Sequence, residues 1–301
     1  MMKAKMGDVR AVFPAAWLAL ACGGKSVTPG VSAAPPAAAV ASTTVPAVSA
    51  PLEKLHWRGK TKNLEVRAVN GPVRAVLGAG DEADVTANIF KNKHGAPMRL
   101  HVVEKGGLTL VCVASAPDEG ESDEDHEHDT GDHHRHRDRH DSQSSNDGSD
   151  ECSQQGKVRG MSVELVVQVP RGTKFTGWTV NGPVEAQGLE GEVEAHTQNG
   201  AVRIETTGVA RASTVNGPIR AKIGAKSWTG TVALESVNGR LEVELPADIG
   251  AELRADTVHG SVRVAPKMDG ARVEDNHVEG RLGKGGGELR LRTVNGPIDV
   301  R

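Results

Sequence analysis

The chain has 301 residues, 37% of them hydrophobic, with 36 glycines, three phenylalanines, four tryptophans and no tyrosine. A thick globular core relies on large rings, so this composition points to a thin core of Val, Ile, Leu and Ala between stacked strands. The net charge of −3 hides an asymmetry, because residues 118–151 hold 14 acidic residues and three arginines, leaving the rest net basic. Those basic residues are scattered among acids with almost no stacking aromatics, a pattern that excludes a nucleic-acid footprint.

In chain order, Lys3, Lys5 and Arg10 precede an apolar run from Ala11 to Ala21, followed by Cys22-Gly23-Gly24. A charged start, a short apolar stretch and small residues before a cleavage point describe a secretory signal over residues 1–21. The run is too short to span a bilayer as a helix. Ala19-Leu20-Ala21-Cys22 is similar to the bacterial lipobox, whose cysteine is lipidated and becomes the mature N-terminus. The plainer alternative is a buried apolar helix with an ordinary cysteine. Residues 22–51 then read as a lipidated Cys22 and a flexible Ala/Pro/Ser/Thr linker. The expectation is an exported protein, lipid-anchored in the bacterial cell envelope at the outer membrane or the periplasmic face.

Residues 52–301 read as one all-β domain that begins irregularly and is interrupted at 116–157 by an acidic, His-rich insertion. The insertion has almost no apolar side chains and is expected to be disordered. Cys112 and Cys152 flank it, and with Cys22 assigned to the lipid they form the remaining pair in an oxidising compartment, so a disulfide is expected. His126, His128, His133, His134, His136 and His140 stand among carboxylates that could hold zinc, copper or nickel weakly. The spacing of a structural zinc site is missing, and a solvated low-complexity linker is the alternative.

The strongest signal is internal repetition. Val180-Asn181-Gly182-Pro183-Val184 recurs as Val215-Asn216-Gly217-Pro218-Ile219 and Val294-Asn295-Gly296-Pro297-Ile298. Looser copies are Gln198-Asn199-Gly200, Val237-Asn238-Gly239, Val258-His259-Gly260 and Val278-Glu279-Gly280, with an isolated early copy at Val69-Asn70-Gly71. Gly preceded by Asn or His accepts the positive φ of a tight corner. After the corner, stretches such as Ile219-Arg220-Ala221-Lys222-Ile223 alternate apolar and charged residues, the period of a strand with one buried face. Each period of about 20 residues therefore holds two short strands and two turns. Antiparallel hairpins could use such a unit. A β-solenoid fits better, since corners recurring in register would stack like on like and let the asparagines form side-chain ladders.

These repeats, with Val167-Gln168-Val169-Pro170-Arg171-Gly172 and the closing Gly283-Lys284-Gly285-Gly286-Gly287, resemble a bacterial adhesin-type family of β-strand-repeat proteins, a domain of unknown function. The resemblance covers approximately 52–301. It implies a β-solenoid associated with the cell envelope and no enzymatic activity. The residues themselves agree. Glu185, Glu205, Glu242 and Asp299 fall singly on outward positions, and the Gly-Lys-Gly stretch lacks the spacing of a phosphate loop. The expected function is a non-catalytic envelope lipoprotein, without cofactor, whose solenoid serves adhesion, scaffolding or binding of an envelope protein or surface polymer. The alternative is metal buffering or sensing by the histidine insertion.

Overall fold

A computed structural model describes residues 50–92, 97–115, 152 and 160–301. The leader, Cys22, the linker and the six histidines of the insertion lie outside the described residues. The N-terminal part contributes β1 (Glu53–Gly59), β2 (Asn63–Arg67), β3 (Val73–Leu77), β4 (Ala83–Asn92), β5 (Met98–Lys105), β6 (Leu108–Ser115) and β7 (Met161–Val169). Then follow β8 (Lys174–Asn181), β9 (Val184–Leu189), β10 (Val193–Asn199), β11 (Val202–Thr206), β12 (Ala210–Asn216), β13 (Ile219–Ile223), β14 (Thr231–Asn238) and β15 (Leu241–Glu244). The chain closes with β16 (Ala251–His259), β17 (Val262–Val264), β18 (Met268–Val273), β19 (His277–Leu282), β20 (Gly287–Asn295) and β21 (Ile298–Val300).

These strands build two sheets. Sheet A runs β1-β4-β7-β3-β9-β11-β13-β15-β21-β17, and sheet B runs β18-β19-β16-β20-β14-β12-β10-β8-β2-β6-β5. The centre of the molecule is a β-solenoid of parallel rungs, each with one strand in either sheet and an Asn-Gly or His-Gly corner between them. Alternate side chains point between the sheets. Val184 and Ala186 of sheet A and Val193 and Ala195 of sheet B are fully buried, and Phe175 is the largest side chain buried to that degree. Small inward residues keep the sheets close, so the core has little room for rings. The scarcity of aromatics is a consequence of that thinness.

The corners explain the repeat. Thr179, Thr197, Thr214, Ser236, Thr293 and Thr257 are buried, and each hydroxyl donates to a carbonyl on the neighbouring rung: Gly71, Gly182, Gly200, Gly217, Gly239 and Gly296, at 2.9–3.2 Å. Outside them runs an asparagine ladder. Asn181 Nδ2 donates to Asn70 Oδ1, Asn199 to Asn181, Asn216 to Asn199, Asn238 to Asn216 and Asn295 to Asn238, all at 2.7–2.9 Å. The glycines are needed chiefly for close approach. A Cβ at Gly217 would lie 1.9 Å from the Gly200 carbonyl oxygen. The expected positive φ occurs at Gly71, Gly182 and Gly296 but not at the other corner glycines.

Two expectations are corrected, and the stacking order is a further finding. The early copy is not isolated: β2 and β3 stack directly on β8 and β9, with Asn70 bridged to Asn181. Val278-Glu279-Gly280 is not a corner, because it lies within β19, which runs antiparallel between β16 and the edge strand β18 of sheet B. Nor do the rungs stack in chain order. β20 and β21 lie between β14/β15 and β16/β17, so the last rung is intercalated and not terminal. Near-identical corners make such insertion chemically equivalent to addition at an end, which is why sequence spacing could not expose it.

The N-terminal flank is less regular, as expected. Sheet A continues past β3 through parallel β7 to antiparallel β4 and β1, and sheet B continues past β2 through parallel β6 to antiparallel β5. β6 is apolar on both faces. Val111 and Val113 enter the main core, whereas Leu110 and Cys112 join Cys152 in a second cluster. The disulfide Cys112–Cys152 is formed, with Cα atoms 5.9 Å apart. Cys152 falls within the segment expected to be disordered, yet it is buried as a member of that outer cluster.

Two predictions follow from the stack. Gly217→Ala should destabilise by about 3 kcal/mol or more, because its Cβ meets main chain, whereas Asn216→Ala should cost about 1–2 kcal/mol for two broken ladder bonds; urea unfolding distinguishes them. Deleting residues 287–301 should expose residues 251–282 to proteolysis first, since β17 pairs only with β21 and β16 joins the stack through β20. Strict chain-order stacking would instead leave 251–282 protected.

Candidate interaction faces

Outward side chains form columns along both sheets. On sheet A, Arg74, Glu185, Arg203, Arg220, Glu242, Asp299 and Arg263 are successive register partners. The acids are not single solvated groups. Arg74 pairs with Glu164 and Glu185, Arg220 with Glu242 at 2.8 Å, Lys222 with Glu205 at 2.6 Å and Arg263 with Asp299 at 3.8 Å. Cross-strand ion pairs of this kind each contribute modestly and give the face a fixed charge pattern. Arg203 has no ionic partner among the described residues and stands between Glu185 and Arg220. It borders a shallow depression of ≈330 Å³ with Gln187, Glu205, Arg220, Lys222 and Glu242.

On sheet B the corresponding column is Arg67, Trp178, His196, Ser213, Glu235, Arg292, Asp256 and His277. Trp178 is 39% exposed, flanked by Arg67 and His196. His196 Nδ1 and Ser213 Oγ are 2.7 Å apart, and burial lowers the imidazole pKa despite Glu194 and Glu65 nearby. That is the separation of a nucleophile and a base. β12, which carries Ser213, is paired in parallel on both sides, so its main-chain donors face neighbouring strands and form no oxyanion site. At the far end His277 Nδ1 meets Asp256 Oδ1 at 2.5 Å. Burial raises the Asp256 pKa, but the bonds from His277 and Arg254 outweigh it and hold the carboxyl below its usual range. No three His, Cys, Asp or Glu side chains are arranged to hold a metal among the described residues.

Of the residues singled out from sequence, Asn181, Gly182, Asn216, Gly217, Asn238, Gly239, Asn295 and Gly296 meet in the corner stack, and Cys112 bonds Cys152. Cys22 and His126, His128, His133, His134, His136 and His140 lie outside the described residues. Sequence reasoning missed the corner hydroxyls, although Thr or Ser stands two places before each Asn or His of the regular corners. It also missed Trp178 and the His196–Ser213 contact. Those arise from register between strands, for which the chain carries no local signal.

The fold and its corners define a two-sheet β-solenoid of repeated rungs. Residues 179–301 match the family described as Toastrack DUF4097. The match is shorter than the 52–301 span of the expected resemblance. It begins within β8, after the region of antiparallel strands. Two solved structures are similar, each aligned over 83% of this chain and 98% of its own: a candidate cell adhesion protein from Clostridium sporogenes (12% identity, TM-score 0.38) and a candidate adhesin from Bacteroides fragilis (10%, 0.27). No curated protein matches.

The acids of sheet B set a pH dependence. Burial raises the Glu194 carboxyl, but Lys174 at 3.0 Å and Arg211 at 3.1 Å outweigh it and lower its pKa. A depressed carboxylate stabilises the fold above its unfolded pKa, about 4.3, and this contribution is lost as pH falls through the lower folded value. Glu194→Gln should therefore lower the urea midpoint at neutral pH by less than about 1 kcal/mol equivalent. It should also flatten the decline on acidification. An unchanged acid profile would refute the assignment.

Proposed function

We propose that the protein is a non-catalytic lipoprotein of the bacterial cell envelope that presents its β-solenoid for adhesion, scaffolding or binding of a partner. The observation that carries this reading is the pair of continuous outward faces on a stack whose corners are locked by hydrogen bonds. Rows of charge at fixed spacing suit recognition of an extended partner, an envelope protein or a surface polymer. The geometry of the described residues on these faces supports the non-catalytic reading. Glu205 and Glu242 are tied into cross-strand ion pairs, and the Ser–His contact seen among the described residues lies on an open sheet without paired donors.

The anchor is part of the proposal and is supported by the sequence. Cys22 follows a short apolar run and precedes a linker of small residues, the order expected of a lipidated N-terminus that holds a domain away from a membrane. In bacteria fed a fatty-acid analogue, the wild-type chain should be labelled and float with membranes. Cys22→Ala should abolish both. A wild-type chain that carries no label, or a Cys22→Ala chain that keeps it, would overturn the lipid anchor.

A further inference from the structure

Where the chain passes from rung to rung, opposite the asparagine corners, residues 226–227, 245–250, 266–267 and 282–285 together with Arg301 enclose a cleft of ≈1060 Å³. Its side-chain charges are unbalanced. Lys226, Lys267, Lys284 and Arg301 face a single carboxylate side chain, Asp248, which is already bound to Lys226 at 2.6 Å. Lys267 and Lys284 are exposed and have no ionic partner among the described residues. Glu252, in register with Arg281, sets its carboxylate against Gly285 but does not line the cleft.

The loop Gly283-Lys284-Gly285 adds main-chain donors. Gly283 and Gly285 have φ of 54° and 76°, the left-handed conformation that turns successive amides toward one side. The only main-chain bond the loop donates is from the Gly285 N–H to the Leu282 carbonyl at 3.0 Å, which leaves the Gly283 and Lys284 amides without a main-chain acceptor among the described residues. Lysine ammonium groups beside free amides in a left-handed glycine turn match a compact, multiply charged oxyanion. A planar carboxylate is better served by the arginine fork.

We propose that this cleft binds a phosphoryl group, held by Lys267, Lys284 and the amides of the glycine loop. The assignment is independent of where the protein resides. Two probes separate the sources of such a group in the full-length Cys22→Ala chain, which carries no lipid of its own: pyrophosphate titrated by calorimetry, and flotation with phosphatidylcholine vesicles with or without phosphatidylglycerol. Binding of pyrophosphate assigns the cleft to soluble phosphorylated molecules, and binding only of phosphatidylglycerol vesicles assigns it to a lipid headgroup; either supports the proposal. Lys267→Gln with Lys284→Gln should weaken that binding about tenfold or more, with an unchanged unfolding midpoint because both side chains are exposed. Lys54→Gln, on β1 at the opposite end of sheet A, should leave it unchanged. Absence of binding to both probes, binding undiminished in the double variant, or equal weakening by Lys54→Gln would overturn it.

Discussion

The hydroxyl-to-carbonyl bond at each corner is the contact on which the rest of this structure depends. A parallel rung must turn sharply between sheets, and the turn brings the glycine carbonyl of one rung under the backbone of the next. That carbonyl would be a buried acceptor without a partner. The Thr or Ser hydroxyl, held on the inner side of the same corner, satisfies it and is satisfied in return. Glycine follows because no Cβ fits above the carbonyl, and asparagine follows because the outer position repeats at strand spacing, where an amide can both donate and accept. Threonine, asparagine and glycine are thus one device expressed three times.

Much of this was legible in the sequence because the device is local. Asn216 and Gly217 share a corner, and Ile219 to Ile223 alternate in the next five residues, so a short window contains both turn and strand. The stacking order was not legible, since Asn295 fits against Asn238 or His259 by the same chemistry and does meet both neighbours in register. Val278-Glu279-Gly280 misled for a related reason. It copies the spacing of a corner but lacks the hydroxyl two places before Glu279, where His277 stands. The outward faces were legible only as alternation. Whether Glu242 met water or Arg220 depended on which strand lay beside it.

The outward charges do little for stability individually, since exposed pairs contribute at most about 1 kcal/mol each. Their effect is on register and on recognition. A one-residue slip in any rung would turn the charged side chains into a core of Val and Ala, and would place buried apolar groups in water. The corners prevent such slips by tying each rung to a fixed acceptor on its neighbour. The faces therefore keep their pattern of charge along the stack, with Arg203 without an ionic partner and Trp178 as an exposed ring among the described residues.

The intercalated rung gives the chain a temporal order of assembly. β14 and β16 are made before β20, yet they are separated by it, so a nascent chain that reaches His259 cannot set β16 in its final place. The segment from Ala251 to Leu282 waits for sequence that has not been made, and its closing contacts have high separation along the chain. Completion is therefore registered in the interior of the stack. The last strands act as a keystone, and a chain that stops short of them is left with a gap in its middle instead of a shorter but intact edge.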